Sequence, residues 1–198
     1  MNLILASKSP RRIKILASVG YDFTIVNTEF DEKSVDLTID PVKGLEEIAM
    51  GKAASAYESL PAIPKLGSVV IGADTIVMCD GKIMLKPKDE AEARKMLNSL
   101  SGRKHEVYTS VALVSVTERD VFTEKTDVYF FDLTEEEIEK YIKTGEPMDK
   151  AGAYGIQGRG ATLVERIEGD YLNVVGLPIA KVARALKNHD IELKLKEI

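Results

Sequence analysis

The hexapeptide Ser7-Lys8-Ser9-Pro10-Arg11-Arg12 crowds hydroxyls and cations into one short stretch. It follows an apolar run, Leu3 to Ala6, that reads as a buried strand. Ser9 fits a helix N-cap, and Pro10 fits the first helical position, where a missing N–H costs nothing. Arg11 and Arg12 then fall in the first helical turn. The helix dipole already makes that end positive, so cations there are misplaced unless an anion binds. Unpaired backbone N–H groups, two hydroxyls and two guanidinium forks would together hold phosphate. A solvated basic turn is the plainer alternative.

Two further positions carry charge where apolar residues are expected. Lys52 falls on the face that Leu45, Ile48, Ala49, Ala53 and Ala56 define in a helix running from Asp40-Pro41 to about Glu58. Either its stem is buried with the ammonium in water, or the ammonium points into a cleft. Asp74 lies in an apolar strand region, and a buried carboxylate is costly unless paired, hydrogen-bonded or bound to metal. A strand-end Asp capping a turn would explain it without function. The stretch from Gly145 to Gly158 mixes glycines with Glu, Asp, Lys, Tyr and Gln, which suits a shaped loop that carries side chains to a ligand.

The elements that must position these groups are legible from caps and periodicity. The first helix runs through Ile13, Leu16 and Ala17 on one face and stops near Gly20. Pro61 and Pro64 mark a loop. Residues 68–71 and 75–79 read as strands interrupted by Gly72-Ala73-Asp74. Asp80-Gly81 is a two-residue hairpin turn, with a return strand over 82–85. Asp89 to Glu92 reads as a capping box opening a helix through Leu100 that Gly102 stops. Strands follow over 106–117 and 121–131, around a turn at Glu118-Arg119-Asp120. A second capping box, Thr134 to Glu137, has Leu133 and Ile138 as its hydrophobic staple. A strand over 161–167, a turn at Gly169-Asp170, a helix over 178–187 and a short strand over 191–195 complete the chain. Neither Gly44–Lys52 nor Gly158-Arg159-Gly160 has the spacing of a nucleotide-binding fingerprint.

With 198 residues, the chain is long enough for one large domain or two small lobes. A net charge of −5 argues against a broad nucleic-acid surface. Cys79 is the only cysteine and there are two distant histidines, which excludes an intrachain disulfide and disfavours zinc. No apolar run approaches the length of a membrane span, and no signal peptide is seen.

Ser7–Arg12, Gly72-Ala73-Asp74-Thr75, Lys86-Pro87, Leu100-Ser101-Gly102 and the Gly145–Gly158 loop, in that order, resemble the Maf family of nucleotide pyrophosphatases. The resemblance implies a mixed α/β fold: one domain over residues 1–198, with two lobes on an extended twisted mixed sheet flanked by helices. The implied fold is similar to that of inosine triphosphate pyrophosphatases, with a central cleft. The resemblance also implies a cytoplasmic homodimer that needs Mg²⁺ or Mn²⁺ and converts nucleoside triphosphates to monophosphate and pyrophosphate. The form Asp149-Lys150-Ala151-Gly152-Ala153-Tyr154-Gly155-Ile156-Gln157 resembles the branch acting on dTTP and UTP. In the 7-methyl-GTP branch, Ser-Phe typically replaces the Ala-Tyr pair.

Position by position, the resemblance makes Asp74 the proton acceptor. It places Arg11, Thr75 and Gln157 in substrate selection, Ser7, Arg12, Lys52 and Lys86 along the polar and basic lining, and Glu32 with Asp74 near the metal. A slip of one residue within the acidic run would nominate Asp31 instead of Glu32. Lys8 is expected to face solvent. These residue types suit attack on an α-phosphorus, which needs the phosphate charge neutralised and a carboxylate to orient or deprotonate water. Asp74 as base and Asp74 as metal ligand both satisfy that scheme. A nucleotide-binding regulator of septum formation without turnover is the rival of another class, but carboxylates weaken pure phosphate binding.

Overall fold

The computed structural model describes residues 1–192. In chain order the elements are β1 (Asn2–Leu5), α1 (Pro10–Ser18), β2 (Phe23–Ile25), α2 (Pro41–Glu58), α3 (Ala62–Leu66), β3 (Ser68–Cys79), β4 (Lys82–Met84), α4 (Glu90–Leu100), β5 (Lys104–Val114), β6 (Arg119–Phe130), α5 (Glu135–Ile142), β7 (Val164–Glu168), α6 (Tyr171–Val175) and α7 (Ile179–Asn188). The strands form one mixed seven-stranded sheet in the order β2-β1-β3-β5-β6-β7, with β4 paired to β3. β1 is parallel to both β2 and β3, whereas β3–β4 and β6–β7 are antiparallel. The mixed α/β class expected from sequence is therefore the one observed.

The described chain divides into two compact units, one comprising Met1–Asp74, Thr109–Glu124 and the described residues from Gly176 on, the other Thr75–Tyr108 and Lys125–Val175. In the first, α2 lays Ala49, Ala53, Ala56 and Tyr57 on Ile4, Val70, Ala112 and Val114. The small side chains let the helix sit close to the sheet. The closest approach is at Gly72, where a Cβ would stand 2.3 Å from the Ala49 carbonyl oxygen and 2.6 Å from the Ala53 nitrogen. In the second unit, Leu97 and Leu100 of α4, Ile138 and Tyr141 of α5 and Tyr154 pack with Val107, Val128 and Phe130. Cys79 belongs to this core, and burial raises its thiol pKa.

The caps behave largely as the sequence requires. Ser9, Asp40, Asp89 and Thr134 each accept from the backbone N–H three residues on, and Thr134 with Glu137 forms the full reciprocal box. At α4 the box is only half formed, because the Glu92 carboxylate accepts from Lys88 N–H at 2.7 Å. Asp80 and Gly81 both take positive φ, as a type I′ hairpin demands.

Several expectations change. β3 is one continuous strand through Gly72-Ala73-Asp74, because Gly72 admits the helix backbone and does not break the strand. α1 buries Arg12, Ile15 and Leu16, while Ala17 is exposed, so its inner face is rotated from the expected one. α3 occupies the loop assigned to Pro61 and Pro64, and β2 and α6 were not anticipated. The strand expected over 161–167 begins at Val164, after a 3-10 segment over Gly158–Leu163. Ile191 and Glu192 are not in a strand, and the remainder of the stretch to Leu195 lies outside the described residues.

Candidate functional site

In open parallel sheets, ligands bind beyond the carboxyl ends of strands where successive connections leave in opposite directions. Here that point lies between β1 and β3. The connection from β1 leads to β2 on one side, and the next crosses to β3 on the other. Leu5 pairs with Ile71, and Ala6 N–H donates to the Ile71 carbonyl at 2.8 Å. Just past that last bond come Ser7 in the turn after β1 and Asp74 within β3.

The turn after β1 is tied by short-range bonds. Ser7 Oγ accepts from Ser9 N–H at 3.2 Å, and Ser9 Oγ caps α1. Arg12 points inward, 8% exposed, and its Nε donates to the Gly176 carbonyl at 2.8 Å. Burial lowers the Arg12 pKa below the usual guanidinium value, and the charge of Asp74 opposes that shift. Arg11 and Glu32 also act on it electrostatically. Arg12 is thus not part of a solvated basic turn, although Lys8 is exposed as expected.

Lys52 does not snorkel. Its side chain is 9% exposed, and Nζ lies 2.9 Å from Asp74 Oδ1 and 2.7 Å from Glu32 Oε1. Two glycines make this meeting possible. Gly72 brings β3 against α2 one turn from Lys52. Gly51 lets the Phe30 ring rest on the helix backbone, where a Cβ would come within 2.3 Å of it, and Phe30 leads directly to Glu32. Of the two acidic candidates, Glu32 is the one that meets Lys52, whereas Asp31 accepts from Lys33 N–H at 3.1 Å and starts a 3-10 turn. Two carboxylates converging on one ammonium form a hard oxygen donor pair of the kind Mg²⁺ or Mn²⁺ takes.

Thr75, Lys86 and Gln157 belong to the second unit. Lys86 is exposed beside Leu85, whose carbonyl accepts from Gly152 N–H at 3.3 Å, so the glycine loop sits next to the Lys86 segment. The loop is built from 3-10 turns at Glu146–Asp149, Ala151–Ala153 and Gly158–Leu163. Gln157 is exposed and its side chain does not cap the turn that follows. Tyr154 is buried, its hydroxyl 2.7 Å from His105 Nε2. Burial lowers His105 to about 4, which keeps it neutral, and pushes Tyr141 up to about 12.

Sequence reasoning passed over the supports: the Gly176 carbonyl under Arg12, Gly51 and Phe30 beneath Glu32, and His105 under the loop. Only His105 left a trace, as a lone histidine next to the strand it in fact joins. Among the described residues, the one His-carboxylate group is Glu118, Asp120 and His189, which contains no expected site residue. His189 Nε2 faces Asp120 at 3.0 Å and Nδ1 faces Glu118 at 3.9 Å. With a different carboxylate facing each ring nitrogen, the His189 ring is already engaged at the end of α7. An open groove lined by Tyr57, Glu58, Lys65 and residues 115–119 likewise contains none of the expected residues.

A family profile described as Maf-like protein matches residues 2–189. The chain belongs to the Maf family. It is 50% identical over 185 residues to the dTTP/UTP pyrophosphatase of Geobacillus sp. (strain WCH70), covering 93% of this chain and 96% of that one. It is 46% identical over 195 residues to the dTTP/UTP pyrophosphatase of Clostridium perfringens (strain SM101 / Type A), covering 98% and 100%. A similar relative is the dTTP/UTP pyrophosphatase of Symbiobacterium thermophilum, 50% identical over 184 residues, covering 93% and 92%. Family membership thus extends over both units.

Proposed function

We propose that the protein is a nucleoside triphosphate pyrophosphatase that hydrolyses dTTP and UTP to the monophosphate and pyrophosphate. The observation that carries turnover is the buried Lys52 ammonium between Glu32 and Asp74, just past the point where β1 stops pairing with β3 and the Ser7–Arg12 turn leaves β1. A binding protein for phosphates alone gains nothing from two carboxylates there. The activity of the relatives, dTTP/UTP pyrophosphatases, supports dTTP and UTP as substrates, and favours neither a regulator without turnover nor a 7-methyl-GTP enzyme.

In this reading Ser7, Arg12, Lys52 and Lys86 bind phosphate oxygens. Lys52 turns from its carboxylate partners toward the incoming triphosphate, which leaves Glu32 and Asp74 to hold a divalent cation, Mg²⁺ or Mn²⁺. A cation held by these two carboxylates would supply positive charge to offset that of the phosphates and of the leaving group. Asp74 takes a proton from the attacking water as the water oxygen bonds to the α-phosphorus and the bond to the β-phosphate oxygen breaks. Arg11, Thr75 and Gln157 select the base. The Gln157 amide offers one acceptor and two donors, which can pair with the N3–H and a neighbouring carbonyl of uracil or thymine.

Free nucleotide in the cytoplasm is the proposed substrate, with the protein acting as a homodimer on neither nucleic acid nor membrane. The negative net charge disfavours a broad nucleic-acid surface. A pyrophosphate-release assay over a nucleotide panel with Mg²⁺ and Mn²⁺ tests the proposal. Turnover of dTTP and UTP well above ATP and GTP is expected, and absence of turnover across the panel would sink it.

A further inference from the structure

The loop from Gly145 to Gly160 is held by a series of anchors, at Glu146, Tyr141 and Tyr154, that leave the Gln157 side chain out. At its base, the Glu146 carboxylate accepts from Arg159 N–H at 3.2 Å and Gly160 N–H at 3.4 Å. In its middle, Gly155 N–H donates to Tyr141 Oη at 3.2 Å. Gly160 closes the crest, since a Cβ there would stand 2.2 Å from the Gly155 carbonyl oxygen. Beneath the crest, Ile156 is buried, and Tyr154 reaches down to the His105 ring. Gln157 is left exposed on a short span anchored on both sides.

The deepest of these anchors is the least expected. His105 is 1% exposed, and its Nε2 lies 2.7 Å from Tyr154 Oη. Its Nδ1 has no partner, so among the described residues the tyrosine hydroxyl is the hydrogen-bond partner that holds the ring. Both rings pack edge-to-face with Phe130, with centroids 4.9 Å and 4.7 Å from it. An apolar pair would fill this space with no imidazole or hydroxyl to desolvate. What the polar pair adds is direction, because a hydrogen bond fixes where Tyr154 sits along its ring plane and hence where the next residues begin.

We infer that His105 is a positioning residue for base discrimination, acting through Tyr154 to set the Gly155–Arg159 crest that presents Gln157. The inference rests on the assignment of Gln157 to the base. It extends the specificity apparatus to a buried strand residue that touches no ligand.

The test uses Tyr154→Phe, which keeps the ring and removes the hydroxyl, and His105→Leu/Tyr154→Phe, which removes both halves of the pair. Two readouts are taken. Hydrogen exchange at the Gly155, Arg159 and Gly160 amides reports the crest without reference to turnover. The ratio of kcat/KM for UTP over GTP reports discrimination. Faster exchange at those amides in both variants is expected, with the ratio narrowed about tenfold, the scale of one misplaced polar contact, and GTP turnover little changed. The double variant is expected to regain melting temperature while the ratio stays narrow. Unchanged crest exchange, or a ratio that recovers together with the melting temperature, would overturn the inference. Wild-type protein that lacks a UTP preference would instead overturn the functional reading, and the exchange measurement still decides the positioning.

Discussion

Replacing Asp74 with asparagine separates the chemical role of the carboxylate from its structural one. Asn keeps the shape and an oxygen that can accept from Lys52, but cannot take a proton from water or offer a charged ligand. Removing one partner of a fully buried ion pair costs about 3–5 kcal/mol. Here Asp74 is 21% exposed and Glu32 stays 2.7 Å from Lys52, so the ammonium keeps a charged partner. A loss of about 1–2 kcal/mol is the reasonable expectation. For a chain of this size that lowers Tm by about 2–8 °C. A domain stabilised by about 5–15 kcal/mol remains folded after such a loss. Turnover should nevertheless fall by about 10²–10⁴, as for loss of a general base. A thermal melt beside steady-state pyrophosphate release distinguishes the two. Near-wild-type kcat in a folded Asp74→Asn protein would make the carboxylate a structural partner of Lys52 and refute the reasoning.

Gly72→Ala places a Cβ against the α2 backbone, so stability should fall by about 1–3 kcal/mol and turnover with it as Lys52 is pushed from Asp74; a melt and kcat check both. Arg12→Ala and Lys86→Ala should each cost about 2–4 kcal/mol of transition-state stabilisation for all nucleotides alike, whereas Gln157→Ala should cost about 1–3 kcal/mol mainly for dTTP and UTP. The measurement is kcat/KM for UTP, dTTP, CTP and GTP, and a uniform loss in Gln157→Ala would remove that residue from base recognition. His105 is held neutral by burial, with its pKa lowered from 6.5 to about 4. Between those values the unfolded chain binds the extra proton, so stability is complete above 6.5 and falls as pH drops toward 4, by on the order of 3 kcal/mol. Tm followed from pH 7 to 4 should fall more steeply in wild type than in His105→Leu/Tyr154→Phe.

The parts of the fold that local chemistry dictates were legible in the sequence. Ser9-Pro10, Asp40-Pro41, Asp89 and Thr134 mark helix starts because a side-chain oxygen must satisfy an N–H there, and Asp80-Gly81 marks a hairpin because both residues tolerate positive φ. β2, at three residues, offers too little pattern, and only its pairing to β1 defines it. Gly72 misled because a glycine in a strand reads equally as a break or a close approach, and the helix that decides between them lies about twenty residues away. The site shows the same division. Arg12, Lys52 and Asp74 stood out as charges in apolar settings. That Glu32, and not Asp31, meets Lys52 depends on Phe30 seating on Gly51, a tertiary contact with no local signature.

The central claim is that water attacks the α-phosphorus of a pyrimidine triphosphate. Hydrolysis of UTP in ¹⁸O-enriched water, with both products resolved by mass, tests this most directly. One heavy oxygen in UMP and unlabelled pyrophosphate are expected. Label in pyrophosphate, or orthophosphate as the primary product, would contradict it.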